Sequence, residues 1–445
     1  MSAGKGPVVT SVAVIGAGIT GITTAYKLLS QGLDVTVFDR NAYSAMETSF
    51  ANGGQLSASN AEVWNSPSTF IKGVKWMLRK DAPLLVHPAP TWHKLSWMAE
   101  FVLAARSYEE NTVATVKLAI AARRHLVEMA EREGFEFDLV KRGILHVYES
   151  KAEYEHAARV SALYAKGGLE RRSVTDDEIH AIEPALAGTF HGGFFTESDF
   201  TGDIHKYTRG LAEAVVRRGG RIRYEADVTR LSTRAEGGAA VFSRPVGSEA
   251  EEAREDFDAV VVCAGVASRR FAAQLGDRVN VYPVKGYSIT VNLADEASRE
   301  GAPYVSLLDD KAKIVTSRLG ADRLRIAGTA EFAGENRDIR MDRIKPLVDW
   351  CRHRFPGVST ASVVPWAGLR PMMPDMMPRV GRGSAKGVYY NTGHGHLGWT
   401  LSAITADTIA AEVAGDHAAP GTVVRSELKP VPAVRAQAER LTEAA

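Results

Sequence analysis

The stretch that most limits what this chain can fold into lies near its start, VAVIGAGITGITTAYKLLSQGLDVTVFDR, beginning at Val12 and ending at Arg40. Residues 12–15 are apolar and β-branched or small, which suits a strand buried on both faces of a parallel sheet. Gly16, Gly18 and Gly21 then form G-x-G-x-x-G, with Ala17 and Ile19 set between them. The first glycine permits a tight turn and the second lets the backbone approach a pyrophosphate. The third lets a helix pack close to the strand. Residues 19–31 read as that helix, stopped by Gly32, and its N-terminus offers free N–H groups and a positive dipole end to an anion. A second strand at 34–38 ends in Asp39, followed by Arg40, where a carboxylate can accept hydrogen bonds from a ribose diol. A lone G-x-G-x-x-G is weak evidence. Inside a strand–turn–helix–strand unit with an acid at its end, it predicts a dinucleotide site.

The residues after Asp39 separate one dinucleotide from another. Residues 41–57, NAYSAMETSFANGGQLS, are polar and glycine-bearing, with Thr48, Ser49, Asn52, Gly53 and Gly54 leading into Gln55 and Leu56. They do not read as the next helix of a simple doubly wound sheet. Strand patterns of that type return only later, at DFDAVVVCAG, which ends in a turn at Ala264 and Gly265, and at GVYYNTGHGHLGWT. Such a discontinuity favours FAD over NAD. The expected fold is α/β: a discontinuous Rossmann-like FAD-binding domain from residues 1–80, 195–275 and 385–430. An α+β substrate domain with a mainly antiparallel sheet is expected from 81–194 and 276–384, and a loose tail from 431–445. Within these limits helices are expected at 98–109, 113–133 and 152–166, and a strand at 143–150. A helix at 202–220 leads into the strand RIRYEADVTRL. There Val228 sets its backbone against an adenine, or the segment is a plain edge strand. Residues 281–328 read as strand after strand, the signature of an antiparallel sheet, and the acidic run 247–256 as a solvated loop.

Composition removes other classes. With 445 residues the chain is too long for one ordinary domain, and a formal net charge of +1 gives no field to attract nucleic acid or a membrane. Its 2 cysteines, Cys263 and Cys351, have no metal-ligand spacing and read as buried free thiols. No run reaches the roughly 20 unbroken apolar residues of a membrane span, so a cytoplasmic protein is expected. The segment 70–80, FIKGVKWMLRK, is either a peripheral contact with the inner membrane through Trp76 and Met77 or an internal helix. His394 and His396 could suggest a metal or a hydrolase. No further ligand pattern accompanies them and no G-x-S-x-G is present, so neither is expected.

Three segments in order over nearly the whole chain resemble the FAD-dependent D-amino acid dehydrogenases, within the glycine and D-amino acid oxidases. They are the opening unit with its sequel ETSFANGGQLS, then YPVKGYSIT (282–290), then WAGLRPMMPDMMPRVGR (366–382) running on to YYNTGHGHLGWT. The last two are more specific than the first. Met376 and Met377 depart from the small or polar residues the family carries after the aspartate, which bears on local substrate contacts. The resemblance implies that Arg370 binds the substrate carboxylate, a role its planar charged fork suits, whereas a structural ion pair with Asp375 is the plain alternative. Tyr287 either adds a hydrogen bond to that carboxylate or lines the pocket, with a packed sheet tyrosine as the plain alternative. The loop Gly395, His396, Leu397, Gly398, with Trp399 and Thr400, would lie against the flavin, His394 matching the histidine of the family's TGHG and His396 falling where the family varies. The implied reaction is oxidation of a free D-amino acid to an imino acid that water releases as a 2-oxo acid and ammonia. A quinone or respiratory carrier would take the electrons. The rivals are an oxygen-using oxidase, including one for cyclic imino acids such as D-proline, and a non-catalytic FAD-binding module.

Overall fold

The computed structural model describes residues 9–66, 84–87 and 89–417. The segment 70–80 and the tail 431–445 lie outside them.

Among the described residues the opening unit forms as its pattern requires. Strand Ser11–Ile15 pairs in parallel with Asp34–Phe38 on one side and Ala259–Val262 on the other, with helix Ile19–Ser30 crossing between the first two. Val12, Val14, Val35, Val37 and Val261 are fully buried, each contributing about 1.5–3 kcal/mol of hydrophobic stabilisation. Arg221–Arg223 adds one edge of this six-stranded sheet, and Val388–Thr392 with Arg379–Arg382 adds the other. Strand Arg379–Arg382 therefore joins this sheet ahead of the return expected at residue 385.

A nine-stranded sheet forms the second layer, in the order Val363–Met372, Tyr282–Asn292, Arg323–Phe332, Ile314–Leu319, Ser306–Asp309, Ile144–Tyr148, Gly192–Thr196, Arg172–Val174, with Leu84–Val86 on the third strand. It is mainly antiparallel, as expected. One face packs on helix Met341–Arg354 through Ile289, Val291, Ile326 and Leu347. The other faces the six-stranded layer.

Four expectations change. The first expected helix is Trp92–Leu103, followed by a 3-10 turn at Ala104–Ser107, because Thr91 caps the earlier start by accepting from Lys94 N–H. The next, Tyr108–Glu133, falls in the span assigned to the substrate domain yet packs in the core of the opening unit with helices Ile204–Arg217 and Gly398–His417. RIRYEADVTRL is two strands. Glu225 turns left-handed at φ 53°, so Arg221–Arg223 stays in the parallel sheet and Ala226–Thr233 starts a three-stranded antiparallel sheet. Part of the acidic run is strand Ala253–Phe257 at that small sheet's edge, where charged side chains are tolerated because one side is free. Cys263 and Cys351 are buried free thiols, each pushed up to about 12 by burial.

Candidate active site

A cavity of about 520 Å³ runs between the two layers. At one end is the glycine turn. Gly16 has φ 109°, and a Cβ there would sit 2.7 Å from the Cys263 carbonyl oxygen. Gly18 lines the cavity with nothing nearer its Cβ position than Ser49 Oγ at 3.5 Å, so the backbone is open to a ligand. Gly21 packs so close that a Cβ would lie 1.8 Å from the Gly16 carbonyl oxygen; it fixes helix against strand and does not line the cavity. Ala17 is likewise behind the wall, but its N–H donates to Asp39 Oδ2 at 2.6 Å. Asp39 also accepts from Asn41 N–H and Nδ2 at 2.8 and 2.9 Å. Burial nevertheless raises its carboxyl above the usual range. Ile19 N–H, at the helix start, donates to Ser49 Oγ at 3.1 Å. Arg40 reaches the same cavity and pairs with Glu47 at 3.1 Å. Val228, Ala264 and Gly265 close this end.

The loop after Asp39 is clamped to the large sheet by its own carbonyls. Ser288 Oγ donates to Ala51 O at 2.7 Å, Arg325 to Asn52 O at 3.0 Å, and Ser317 Oγ to Gly53 O at 2.6 Å. Thr48 Oγ1 donates to Leu369 O at 2.9 Å, and Gln55 Nε2 to Ser306 Oγ at 2.8 Å. A Cβ on Gly53 would meet Val315 at 2.6 Å, and Gly54 has φ 71° with its N–H on Asn52 Oδ1, so this pair of glycines is required by both space and conformation. Thr48, Ser49, Asn52, Gly53, Gly54 and Gln55 all line the cavity. Leu56 does not; it pairs with Phe200 and is fully buried.

Farther along the cavity stands Arg370, largely buried with part of its surface on the cavity. Its Nη1 donates to Thr329 O at 3.0 Å. No carboxylate among the described residues pairs with it, Asp375 included, and burial alone lowers its pKa to about 10. Burying a guanidinium without an anion is costly unless a ligand completes it. Two features that sequence reasoning missed hold it in place. Lys285 pairs with Glu331 and Tyr287 with Gly328, so Thr329 and Ala330 together oppose Gly286. This is a β-bulge, which re-aims the backbone. Thr329 takes φ 60° there, unusual for a β-branched residue, and its carbonyl turns to Arg370. Gly286 supplies the room, since a Cβ would lie 2.2 Å from Arg370 Nη1. Nothing local in the sequence signals a bulge whose partner strand is some forty residues away.

Tyr287 edges the cavity, but its hydroxyl donates to Glu331 Oε2 at 2.6 Å, and its ring packs in the core on the helix side of the sheet. Burial, together with that bond, raises its pKa. The hydroxyl is therefore committed away from Arg370. Gly395, His396, Leu397, Gly398, Trp399 and Thr400 form the opposite wall as a 3-10 turn running into the N-terminus of helix Gly398–His417. The Trp399 indole packs 4.8 Å from the Tyr207 ring. His396 is built into the wall: its Nε2 is 3.1 Å from Asn60 O and its ring stacks on Trp64 at 4.9 Å. Burial holds His396 at about 4 and His394, which meets Thr405 Oγ1 at 3.0 Å, at about 3, so both rings are neutral at pH 7. Among the described residues no three histidine, cysteine or acidic side chains gather as metal ligands.

The whole set fits a dinucleotide with a ring at its far end. It offers an open glycine turn, a half-buried acid beside it, a clamped glycine loop and a helix N-terminus on the wall opposite Arg370. The family described as FAD dependent oxidoreductase (DAO) matches residues 11–412. D-amino acid dehydrogenase 3 of Mesorhizobium japonicum is 61% identical over 405 residues, covering 91% of this chain and 97% of that one. D-amino acid dehydrogenase of Paramagnetospirillum magneticum is 41% identical over 91% and 95% of the two chains. Among solved structures, glycine oxidase from Geobacillus kaustophilus superposes with a TM-score of 0.69 at 20% identity, covering 91% of this chain and 94% of that one. The L-proline dehydrogenase of P. horikoshii gives 0.69 at 14% over 91% and 93%; at such identities the likeness speaks for the fold alone. The chain therefore belongs to the DAO family of FAD-dependent oxidoreductases, alongside the D-amino acid dehydrogenases.

Proposed function

We propose that this enzyme oxidises free D-amino acids to imino acids, which water releases as 2-oxo acids and ammonia. The observation that carries the reading is Arg370: a buried guanidinium with no anion of its own, fixed by Thr329 O, on a cavity shared with the dinucleotide turn. A carboxylate completes it with two parallel hydrogen bonds and so fixes the substrate's Cα in orientation. Identity to dehydrogenases named for D-amino acids supplies the configuration.

Gly16, Gly18 and Ile19 of the turn, Asp39 and the loop 48–55 would hold FAD, and the N-terminus of helix Gly398–His417 would offer its N–H groups to negative charge on the bound group. When bound, FAD would supply the acceptor for the hydride of Cα. The chain's own contribution is orientation and exclusion of water; neutral His394 and His396 add no positive charge to compete with Arg370 for the carboxylate. The six-stranded and nine-stranded layers correspond, in this reading, to the FAD-binding and substrate domains. The acceptor is a quinone or another carrier in preference to oxygen, in keeping with the dehydrogenase names of the relatives. Any contact with a membrane-borne acceptor is proposed to be peripheral; no helix among the described residues is long and apolar enough to cross a membrane.

Anaerobic mixing with a panel of D- and L-amino acids tests the substrate: bleaching of the flavin by D-enantiomers is expected, and a panel without bleaching defeats the reading. Turnover with a quinone analogue should exceed that in air-saturated buffer. Stoichiometric hydrogen peroxide at an undiminished rate would establish an oxidase instead.

A further inference from the structure

The cavity continues beyond the groups around Arg370. Past the loop 59–64 it enters a second lobe walled by His146, Tyr148, Val160, Tyr164 and Arg171. Strand order places His146 five strands from Arg370, about 24 Å along the sheet at ~4.8 Å per strand. A substrate fixed at Arg370 by its carboxylate does not extend that far.

Arg171 sets the character of this lobe. Its guanidinium lies 5.4 Å from the centre of the Tyr164 ring and 5.0 Å from that of Phe194. Nη1 makes one long bond to Ser161 Oγ at 3.3 Å and the Tyr148 hydroxyl also meets the guanidinium, while Nε and Nη2 are buried without a hydrogen-bond acceptor. The acids of the lobe are committed elsewhere. Asp310 pairs with Lys313, and Glu62 accepts from Tyr108 and faces His156 at 3.7 Å. His146 is fully buried, meets Ser59 Oγ at 2.9 Å, and is kept neutral by that burial, so it adds no charge. Buried donors without partners are rare in folded proteins and ask for a reason. Here they belong to a cation with no carboxylate paired to it among the described residues, between aromatic walls, on the cavity that also holds Arg370.

We propose that this lobe is a second anion site, taking a small monocarboxylate with a flat apolar body: the carboxylate on Arg171, the body against Tyr148, Tyr164 and Val160. The 2-oxo acid released by the reaction belongs to that class; its identity as occupant rests on the function proposed above, whereas the charge and shape of the lobe do not.

Benzoate is a suitable probe, being flat, singly charged and inert to oxidation. Calorimetric titration of the FAD-loaded enzyme should resolve two benzoate sites in the wild type. Arg171→Gln should weaken one by at least tenfold, the scale of a lost charge-assisted hydrogen bond, and leave the other. Arg370→Gln should do the converse. Val160→Phe, which fills the lobe without touching its charge, should lose the same site as Arg171→Gln, so a folding defect in one variant does not decide the matter. Two sites retained in both Arg171→Gln and Val160→Phe would overturn the proposal, as would a single wild-type site abolished by Arg370→Gln alone. Failure of the Arg370 assignment has a different pattern: one site, lost in Arg171→Gln and untouched by Arg370→Gln.

Discussion

Gly21 and Gly286 face the same difficulty in the two layers, and they resolve it differently. A Cβ on Gly21 would sit 1.8 Å from the Gly16 carbonyl oxygen, a backbone atom held by the sheet. A Cβ on Gly286 would sit 2.2 Å from Arg370 Nη1, the far end of a flexible side chain. In the first layer the glycine holds the fold of a turn; in the second it holds the pose of one guanidinium. Architecture and chemistry are therefore separable by the same substitution at two positions.

The largest effect is expected at the turn. Gly21→Ala should prevent the helix from seating on its strand, giving protein with little bound FAD and a large loss of thermal stability. Absorbance at the flavin bands and a melting curve check this. Near-normal flavin content in Gly21→Ala would show that helix and strand can separate without loss of the cradle.

Gly286→Ala should come next, and its phenotype should be the opposite kind. The backbone stays, the guanidinium moves, and kcat/KM for amino acids falls by about a hundredfold with flavin content unchanged, from loss of roughly one to two charge-assisted hydrogen bonds at about 1.5–3 kcal/mol each. Arg370→Lys should fall by a similar factor, because an ammonium cannot clamp a carboxylate in two places. If Gly286→Ala and Arg370→Lys differ widely, the pose of Arg370 matters less than its charge.

The same contrast explains what could be read from the sequence. The dinucleotide unit was legible because its signals are local: glycine spacing, strand composition and Asp39 fall within thirty residues, and each has one physical purpose. The role proposed for Arg370 rests on resemblance, and the support of its side chain was not legible at all. Gly286, Thr329 and Arg370 lie on three strands, and their meeting depends on a bulge that no local pattern encodes. Leu56 was placed with its polar neighbours in the loop, yet pairing with Phe200 turns it into the core. The split at Glu225 escaped because a left-handed glutamate has no composition signal.

A third difference between the ends of the cavity is their response to acid. The wall opposite Arg370 carries two buried imidazoles, His394 at about 3 and His396 at about 4, whereas the glycine turn carries none. In the unfolded chain both take up protons below about pH 6.5, while in the folded chain they stay neutral until well below. Unfolding therefore binds protons across this window, and stability falls as pH drops from about 6.5 toward 4, by about 1.4 kcal/mol per pH unit for each ring. Above about pH 6.5 the two contribute no slope. His396→Phe keeps a ring to stack on Trp64 and removes one titration, so its melting temperature should fall less steeply with acid than that of the wild type. Parallel curves would mean that His396 is already exposed to solvent when the protein is folded.

The smallest effect concerns the residue whose two readings differ most in consequence. Were Tyr287 a ligand of the substrate carboxylate, Tyr287→Phe would raise KM by about tenfold or more, as loss of a hydrogen bond to a charged group does. The structure commits its hydroxyl to Glu331 Oε2, and Glu331 has further company in Lys285 Nζ at 3.6 Å and Arg340 Nη1 at 3.5 Å. The phenyl ring of the variant keeps the packing against Ile289 and the helix side of the sheet. The carboxylate loses one donor of several and retains two cations. Tyr287→Phe should therefore cost about 1 kcal/mol of stability, read as a shift of a few degrees or less in melting temperature for a chain of this size, and leave KM within about twofold. A tenfold rise in KM with unchanged stability would instead mean that the hydroxyl leaves Glu331 for the substrate, and the division between the structural tyrosine and the functional arginine would have to be redrawn.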